Sequence, residues 1–336
     1  MAKKKGKTLP TVGVVGSGSF ATAIVKMLLE NAKLVHWCVR NEFVKGALEL
    51  RGHNPNYLTA VAFDVKKLKI TTDINKLVSA CDIVDLATPS IYLADAIEKM
   101  TCDYEGKLFV SAIKGIIPKH NDVVAHYLRD VFKIGFRSQA VIAGPCHAEE
   151  VAMERLSYLT IAAAEKEHID ALRELFTSDY IKVSCSKDIL GNEYSAILKN
   201  IYAIAAGIAS GLGYGDNFNA VLVSNAIREM ELFLDAVYPE HREVNDSAYL
   251  GDLLVTAYSL FSRNRNLGNL IGKGYTVKSA VQSMSMVAEG YYATRGIYEI
   301  AYEKKLKTPI INTVFSILYE GKDAEKQFKK LTEKLT

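Results

Sequence analysis

Short apolar runs alternate with amphipathic stretches along the first half of the chain. The runs are rich in β-branched residues and predict strands at 11–15, 34–39, 83–87, 108–111, 140–143, 158–164 and 181–185. The intervening stretches predict helices at 21–31, 41–51, 91–100, 121–132 and 167–177. This alternation is typical of repeated βαβ units around a mostly parallel sheet with helices on both faces.

After about residue 187 the strand signals stop, and apolar residues recur at helical spacing. The pattern predicts helices at 192–209, 217–236, 249–262, 277–283, 288–304 and 309–319. The Lys- and Glu-rich segment 321–336 predicts a solvated terminal helix or tail with no site. The second half of the chain is therefore expected to be all-helical.

A glycine-rich turn follows the first predicted strand and opens the first predicted helix. It has the sequence Gly16-Ser-Gly18-Ser-Phe-Ala21 and matches the G-x-G-x-x-G/A pattern of dinucleotide-binding turns. We expect Gly16 to permit the turn, Gly18 to admit a pyrophosphate, and Ala21 to let helix pack on strand. A purely conformational turn is the alternative. The change from strand to helix signals near residue 187 places the boundary between a dinucleotide-binding Rossmann-type domain, residues 1–187, and an all-helical substrate domain, residues 188–336.

Arg40, just after the second predicted strand, indicates which dinucleotide binds. NAD-specific proteins usually have an Asp or Glu there, which bonds the ribose 2′-hydroxyl. A guanidinium instead suits an adenosine 2′-phosphate and stacks on adenine. Arg40 therefore favours NADP, or the use of both NADP and NAD, and a solvated strand-end residue is the alternative.

Composition and charge exclude several classes of protein. Hydrophobic residues make up 49% and charged residues 24% of the 336, as in folded globular chains. A net charge of +3 is too small for a dedicated nucleic-acid or membrane-surface binder, so small molecules are the expected partners. The longest apolar stretch, about 201–212, is too short to span a membrane. Residues 1–7 are basic with no apolar core after them, and they predict a solvated tail.

The five cysteines are scattered and show no CxxC spacing. They predict reduced thiols in a cytoplasmic protein, with no metal site.

Two further strand ends carry candidate chemistry. Lys114 and Gly115 follow the predicted strand 108–111, at the sheet edge where ligands of α/β proteins bind. Lys114 could contact a phosphate or carbonyl oxygen, or be an ordinary surface lysine. Residues 143–150 form a turn into a helix start, where free amide groups suit an anion. Within this turn, Cys146 is either a reactive thiol or a bystander.

Lys199 lies beside Asn200 in a largely apolar predicted helix. Apolar surroundings disfavour the charged form of a lysine, which lowers its pKa and fits it for proton transfer near neutral pH. The alternative is a lysine at a domain seam, paired with a carboxylate.

The segment 250–264 places polar residues at helical spacing. Asp252, Thr256, Ser259 and Arg263 recur at offsets of four, three and four, which predicts a polar stripe on one helix. The stripe lacks the usual Lys and Glu, which favours the lining of a site over a solvated face. Arg263 and Asn264 could clamp a phosphate or a polyol, and Ser259 is expected to have no active role. The opposite face is expected to present Leu253, Leu254, Ala257, Leu260 and Phe261 to a core.

With these residues, the chain resembles the NAD(P)-dependent glycerol-3-phosphate dehydrogenases of the bacterial type. The likeness runs from the first predicted strand to about Tyr319. The blocks that carry it, in the family's order, are GSGSFATA (16–23), NPNYL (54–58), ATPS (87–90), KG (114–115), AGPCHAEEVA (143–152), LKNIYAIAAGIASGLGYGDN (198–217), LGDLLVTAYSLFSRNRNLG (250–268) and VAEG (287–290).

The resemblance implies interconversion of dihydroxyacetone phosphate and sn-glycerol 3-phosphate, in the direction that supplies phospholipid backbones. Lys199 would be the general acid/base at the C2 oxygen, and Arg263 and Asn264 would bind the substrate phosphate. The implied catalytic residues are Lys199, Lys114, Asp252 and Thr256. The implied substrate contacts are Lys114, Gly144, Cys146, Lys199, Asp252, Ser262, Arg263 and Asn264. The implied cofactor contacts are Gly16, Gly18, Ser19, Phe20, Ala21, Arg40, Lys114, Ala148, Arg263, Val287 and Glu289.

Several positions depart from the family's pattern, among them Ala257-Tyr258, which replaces a Cys-containing version of the motif. Cys146 stands where Ser or Thr is usual, and His147 where an aromatic residue is common, so the hydroxyl contact expected there is missing. Phe20 replaces Trp or Tyr and keeps an aromatic platform. The implied catalytic set is intact, and we expect an active enzyme.

Two other functions fit the same organisation. One is a β-hydroxyacid dehydrogenase of similar two-domain build, which would prefer a carboxylate to a phosphate. The other is a non-catalytic dinucleotide-binding redox sensor, against which the intact lysine pair counts. For the enzyme we expect a site between the sheet's carboxyl edge and the helical domain, and a homodimer, because helical second domains of this kind often dimerise.

Overall fold

Among residues 9–336, which the computed structural model describes, eight strands form one sheet. They are β1 (Val12–Val15), β2 (Val35–Cys38), β3 (Leu68–Thr71), β4 (Ile83–Leu86), β5 (Leu108–Ser111), β6 (Gln139–Ala143), β7 (Ser157–Ala163) and β8 (Ile181–Ser186). Their order in space is β3-β2-β1-β4-β5-β6-β7-β8. Neighbours from β3 to β6 are parallel, β7 is antiparallel to β6, and β8 is parallel to β7. The predicted basic tail, residues 1–7, lies outside the described residues.

Helices cover both faces of this sheet, so the central strands β1, β4 and β5 are buried at every position. The helices are α1 (Ser19–Leu28), α2 (Glu42–Arg51), α3 (Ile74–Ala80), α4 (Ser90–Ile97), α5 (Val124–Phe132), α6 (Ala148–Ala152) and α7 (Lys166–Phe176). All seven predicted strands are confirmed. The sequence pattern missed β3 because its Leu-Lys-Ile-Thr run lies at the sheet edge and has only two apolar residues.

In the described chain after residue 186, the regular elements are helical. They are α8 (Ile189–Gly211), α9 (Asp216–Val237), α10 (Asp252–Tyr258), α11 (Arg263–Gly272), α12 (Val277–Ser283), α13 (Glu289–Glu303), α14 (Pro309–Tyr319) and α15 (Ala324–Thr332), with a π-helical turn at Ser247–Gly251. The predicted fold class, a mostly parallel sheet followed by an all-helical region, is confirmed. Helix α15 buries Phe328 and Leu331 against the helical core, so the segment 321–336 packs on the protein and is not a free tail.

The single helix predicted over 249–262 is wrong. Helix α10 ends at Tyr258, and Ser259 has an extended backbone. A new helix, α11, then begins after Ser262, whose hydroxyl accepts a hydrogen bond from the Arg265 amide at 3.2 Å. Serine side chains that bond nearby backbone groups favour helix ends over helix interiors, which explains the break. Arg263 therefore lies on a different helix from Asp252.

The break also changes which side chains of this segment are buried. Leu253 and Ala257 enter the core as predicted, but Leu254, Leu260 and Phe261 do not. Leu260 is 76% exposed because it lies in the connection between α10 and α11. The polar positions Asp252 and Thr256 are the buried ones.

Helix α8 is buried along almost its whole length, and glycines bring α11 unusually close to it. A Cβ at Gly268 would lie 2.1 Å from the Ile204 main-chain oxygen, and one at Gly207 would lie 2.0 Å from the Arg265 oxygen. The backbones of the two helices therefore touch directly. This contact sets the start of α11 at a defined distance from Lys199 on α8.

We expect Gly268→Ala to lower the free energy of unfolding by about 2–3 kcal/mol, because the added methyl group must separate two packed helices. Urea denaturation measures the change. Gly46→Ala, in helix α2, is the matched control, because a Cβ there meets nothing within 4 Å. Alanine at that position should stabilise the helix by about 0.5–1 kcal/mol. An unchanged urea midpoint for Gly268→Ala would contradict the packing described here.

Candidate active site

Two adjoining cavities lie at the carboxyl ends of the central strands, facing the helical region. The larger, of about 900 Å³, extends over β1 and β2, and the smaller, of about 160 Å³, lies beside it. The residues that line both are Gly18, Ser19, Thr88, Pro89, Arg263 and Val287. The cavities are therefore continuous. Their place at the carboxyl edge of a parallel sheet is where ligands of such folds bind.

The glycine-rich turn forms one wall of the larger cavity. Gly16 has φ +130°, and a Cβ there would lie 2.7 Å from the Ala87 main-chain oxygen, so the position requires glycine. A Cβ at Gly18 would meet nothing within 4 Å, and no side chain caps the start of α1. Ala21 is buried behind the turn. Open space and free amide groups together fit a dinucleotide pyrophosphate.

Arg40 lines the larger cavity beyond the turn, where β2 ends. Its amide donates to the Ser17 hydroxyl at 3.4 Å, and its side chain is exposed. In the described part of the chain, no carboxylate pairs with its guanidinium. Arg40 is therefore free to bind a phosphate at this end of the cavity.

A cluster of three charged side chains lines the smaller cavity. Lys199 on α8 and the Asp252 carboxylate on α10 form an ion pair through Oδ1, and both residues are buried. The other oxygen, Asp252 Oδ2, lies 3.8 Å from Lys114 Nζ and has no hydrogen-bond partner among the described residues. The two lysines thus share one carboxylate.

Burial lowers the pKa of Lys199 to about 7, Asp252 opposes this effect, and the charge of Lys114 adds to it. Both sequence interpretations of Lys199 hold at once, since it has a lowered pKa and a carboxylate partner. Such an ammonium group can release and regain a proton near neutral pH.

Neighbouring contacts hold this cluster in place. Thr256 donates its hydroxyl to the Asp252 main-chain oxygen at 2.6 Å, so it fixes the first turn of α10 without touching the carboxylate. Asn200 donates to the Lys114 main-chain oxygen at 2.8 Å, which ties α8 to the turn after β5. Lys114 Nζ lies 5.2 Å from the centre of the Phe20 ring, within range of a cation–π contact.

The start of α11 forms the opposite wall of the smaller cavity. Ser262, Arg263 and Asn264 all line it. Arg263 donates to the Val287 main-chain oxygen at 3.4 Å, and the Asn264 side-chain oxygen accepts from the Gly290 amide at 2.9 Å. Among the described residues, none accepts a hydrogen bond from the Asn264 amide group, so its two N–H donors are available to a ligand. A helix start, a guanidinium and amide donors make this wall a suitable anion site.

The turn at residues 144–148 closes the cavity on the sheet side. Gly144 has φ +100°, and a Cβ there would lie 2.9 Å from the Tyr158 main-chain oxygen. Burial raises the pKa of the Cys146 thiol to about 12, so this cysteine is a neutral lining residue and not a reactive thiolate. Burial, with the charges of Lys199 and Lys114, lowers the pKa of His147 to about 4 and keeps its ring neutral.

The structure brings together nearly all the residues singled out in the sequence. Every residue implied for catalysis, substrate or cofactor lines a cavity except Ala21 and Gly144, which support the glycine-rich turn and the 144–148 turn, whereas Gly115 and Ser259 line neither cavity. Lining residues that the sequence did not single out include Thr88 and Pro89, although they follow a predicted strand as Lys114 does. Phe261 was missed because the predicted helix placed it in the core.

Comparisons with known proteins identify the family. A family model described as NAD-dependent glycerol-3-phosphate dehydrogenase N-terminus matches residues 11–169, and the C-terminus model of the same family matches residues 188–329. The chain belongs to this family. The resemblance stated from the sequence is confirmed. The protein is an NAD(P)-dependent oxidoreductase, and its cofactor is NAD or NADP.

Similar proteins match over nearly the whole chain. The glycerol-3-phosphate dehydrogenase [NAD(P)+] of Chlorobium limicola is 33% identical over 318 residues, which are 94% of this chain and 95% of that protein. That of Staphylococcus epidermidis is 33% identical over 333 residues, 96% of this chain and 98% of that protein. The crystal structure of glycerol-3-phosphate dehydrogenase from Coxiella burnetii superposes with a TM-score of 0.90 at 26% identity, covering 97% of this chain and 100% of that one.

No helix in the described part of the chain is both long and apolar enough to cross a membrane.

Proposed function

We propose that this protein reduces dihydroxyacetone phosphate to sn-glycerol 3-phosphate with NADPH or NADH, and catalyses the reverse reaction. The observation that carries the proposal is a small cavity with a buried lysine–aspartate pair on one side and an anion-binding helix start on the other. A three-carbon substrate with a carbonyl and a terminal phosphate suits both walls at once.

A bound nicotinamide dinucleotide supplies or accepts the hydride. Lys199 donates a proton to the C2 oxygen as that oxygen gains negative charge, and takes it back in the reverse direction. Asp252 holds the Lys199 ammonium in place, and Lys114 adds a second positive charge that polarises the carbonyl. Arg263 and Asn264 bind the phosphate, which orients the carbonyl toward Lys199.

The remaining sequence assignments are part of the same proposal. Gly144, Cys146 and Ser262 contact the substrate. Gly16, Gly18, Ser19, Phe20, Ala21, Ala148, Val287 and Glu289 form or support the dinucleotide site, to which Lys114 and Arg263 also contribute. Residues 1–187 would be the dinucleotide-binding domain and residues 188–336 the substrate domain. We further infer a cytoplasmic homodimer whose product serves glycerophospholipid synthesis, and light scattering should give twice the chain mass of 37.1 kDa.

Initial rates of NADPH and NADH oxidation by the purified protein test the proposed reaction. We expect both rates to depend on added dihydroxyacetone phosphate. A panel of 2-keto and 3-keto acids tests the hydroxyacid alternative, which the match to the glycerol-3-phosphate dehydrogenase family models disfavours. Dinucleotide binding without turnover of any substrate would instead support the redox sensor.

The pH dependence of the reduction should follow the protonation of Lys199. Because Lys199 must carry the proton it donates, kcat/KM for reduction should be highest below about pH 7 and fall about tenfold per pH unit above it. Lys114→Met removes a charge that lowers the pKa of Lys199, so the falling limb should move to higher pH. Lys119→Met, an exposed lysine elsewhere, is the control. If kcat/KM fell at the same pH in Lys114→Met as in the wild type, the coupling of the two lysines would be contradicted.

Arg40 should set the preference between dinucleotides. We expect Arg40→Ser to raise KM for NADPH about tenfold, because a charge-assisted hydrogen bond to the 2′-phosphate is lost. KM for NADH should change little. Parallel kcat/KM measurements with the two dinucleotides give the ratio, with Arg51→Ser, at the end of α2, as the control. An equal loss of kcat/KM with both dinucleotides would show that Arg40 does not bind the 2′-phosphate.

A further inference from the structure

Ser90 makes an interaction between the sheet and the helical region that the reaction described above does not use. It is the first residue of α4, is 1% exposed, and lines neither cavity. Its amide donates to Glu289 Oε1 at 2.9 Å, and its hydroxyl donates to Glu289 Oε2 at 2.5 Å. Both oxygens of one carboxylate are therefore held by one residue that lies 199 positions away in the chain.

The turn that carries Lys114 packs directly on this pair. A Cβ at Gly115 would lie 2.2 Å from Glu289 Oε2 and 2.5 Å from the Ser90 hydroxyl oxygen. On its other side, the same turn receives the hydrogen bond from Asn200. The Glu289 carboxylate is thus confined between α4, the start of α13 and the Lys114–Gly115 turn.

Glu289 faces the part of the site that the nicotinamide end of a dinucleotide would occupy. It lines only the smaller cavity, as Lys199 does, whereas Arg40 lines only the larger one. A dinucleotide with its adenosine phosphate at Arg40 and its pyrophosphate at the glycine-rich turn therefore has its nicotinamide near Glu289. Each carboxylate oxygen has two acceptor sites, and Ser90 uses one on each. The remaining sites suit the N–H donors of a carboxamide.

The electrostatics of Glu289 depend on Ser90 as well. Loss of water raises the pKa of Glu289, whereas the two hydrogen bonds from Ser90 and the nearby charge of Arg263 lower it. Without the Ser90 hydroxyl, the carboxylate loses one of the two contacts that orient it. The carboxylate then keeps only the hydrogen bond from the Ser90 amide, while the charge of Arg263 still acts on it.

We propose that Ser90 is a positioning residue for the nicotinamide end of the dinucleotide, because it holds the Glu289 carboxylate where it accepts a hydrogen bond from the carboxamide. This inference rests on the dinucleotide site of the proposed function. It does not depend on the identity of the reduced substrate, since dinucleotide binding alone tests it.

The test compares two ligands that differ in the nicotinamide. Calorimetry gives the Kd of NADPH and of 2′-phospho-ADP-ribose, which keeps the adenosine phosphate and the pyrophosphate but lacks the nicotinamide. Ser90→Ala should raise the Kd of NADPH about tenfold and change the Kd of 2′-phospho-ADP-ribose by no more than about twofold. Ser316→Ala, which removes a buried serine hydroxyl from α14, should change neither value.

A second comparison shows whether Ser90 acts through Glu289. Glu289→Ala should also raise the Kd of NADPH and not that of 2′-phospho-ADP-ribose. Adding Ser90→Ala to this variant should raise the Kd of NADPH no further. If Ser90→Ala fails to fold, Ser90→Cys replaces it, because a thiol occupies similar space and is a weak donor.

Three outcomes would overturn the role of Ser90. The first is an unchanged NADPH Kd in Ser90→Ala. The second is an equal loss of affinity for NADPH and for 2′-phospho-ADP-ribose. The third is a loss of NADPH affinity in the Ser90→Ala, Glu289→Ala double variant that equals the sum of the two single losses. Failure of the wild-type protein to bind either ligand would contradict the dinucleotide site itself. Binding without reduction of dihydroxyacetone phosphate would contradict only the proposed reaction.

Discussion

Lys199→Ala should lower kcat for reduction of dihydroxyacetone phosphate about 1000-fold, because the C2 oxygen loses its proton donor. Lys114, which lies 3.8 Å from the other oxygen of the same carboxylate, is expected to polarise the carbonyl and not to supply the proton. NADPH binding should persist, because the glycine-rich turn and Arg40 are untouched. Steady-state rates together with the NADPH Kd separate the loss of chemistry from the loss of binding.

The stability of Lys199→Ala must be measured alongside its activity. Removing the nearer partner of the buried Asp252 carboxylate leaves only the Lys114 ammonium, 3.8 Å away, beside it, which costs up to about 3–5 kcal/mol. The double variant Lys199→Ala, Asp252→Asn also removes the negative charge of the carboxylate, and it should recover stability without recovering activity. Lys326→Ala, on α15 and away from both cavities, controls for the loss of a lysine. Near-normal turnover in a folded Lys199→Ala protein would remove the proposed acid/base.

Arg263→Ala should lower kcat/KM for dihydroxyacetone phosphate by about 100-fold, because its guanidinium is the charged group at the start of α11. Dihydroxyacetone, which has no phosphate, should be reduced slowly and almost equally by the variant and by the wild type. The comparison of the two substrates isolates the contact with the phosphate from any general damage to the site.

Arg265→Ala is the matched control for Arg263→Ala, because it removes an arginine two positions along the same helix. It should reduce both substrates at wild-type rates. If Arg263→Ala slowed both substrates equally at saturating dinucleotide, the phosphate would have to bind elsewhere. The hydroxyacid alternative would then regain support.

Much of the first half of the chain was predictable because its signals are local. A β-branched run, a glycine-rich turn and a helix start follow one another within residues 11–31, and each reports on its immediate neighbours in the chain. The position of Lys114 follows from one further rule, that residues after parallel strands collect at one edge. The same rule, applied to 87–90, would have pointed to Thr88 and Pro89.

Helical spacing alone gave a wrong prediction where a helix breaks without an obvious signal in the sequence. Residues 249–262 keep an apolar period across the break, and neither a proline nor a glycine marks it. Serine hydroxyls, at Ser259 and Ser262, bond to backbone amides and end one helix and start another. Serine is common both inside and at the ends of helices, so periodicity does not distinguish the two.

The sequence by itself determined the fold class, the glycine-rich turn and the residue types that we propose for proton transfer and phosphate binding. The tertiary structure decided which of those residues meet. Lys199 and Asp252 lie on different helices, and their pairing exists only because α8 and α10 pack together and exclude water. Ser90, Gly115 and Glu289 come from three separate elements. Burial and charge pairing depend on distances in space, and those follow from the packing of the whole chain.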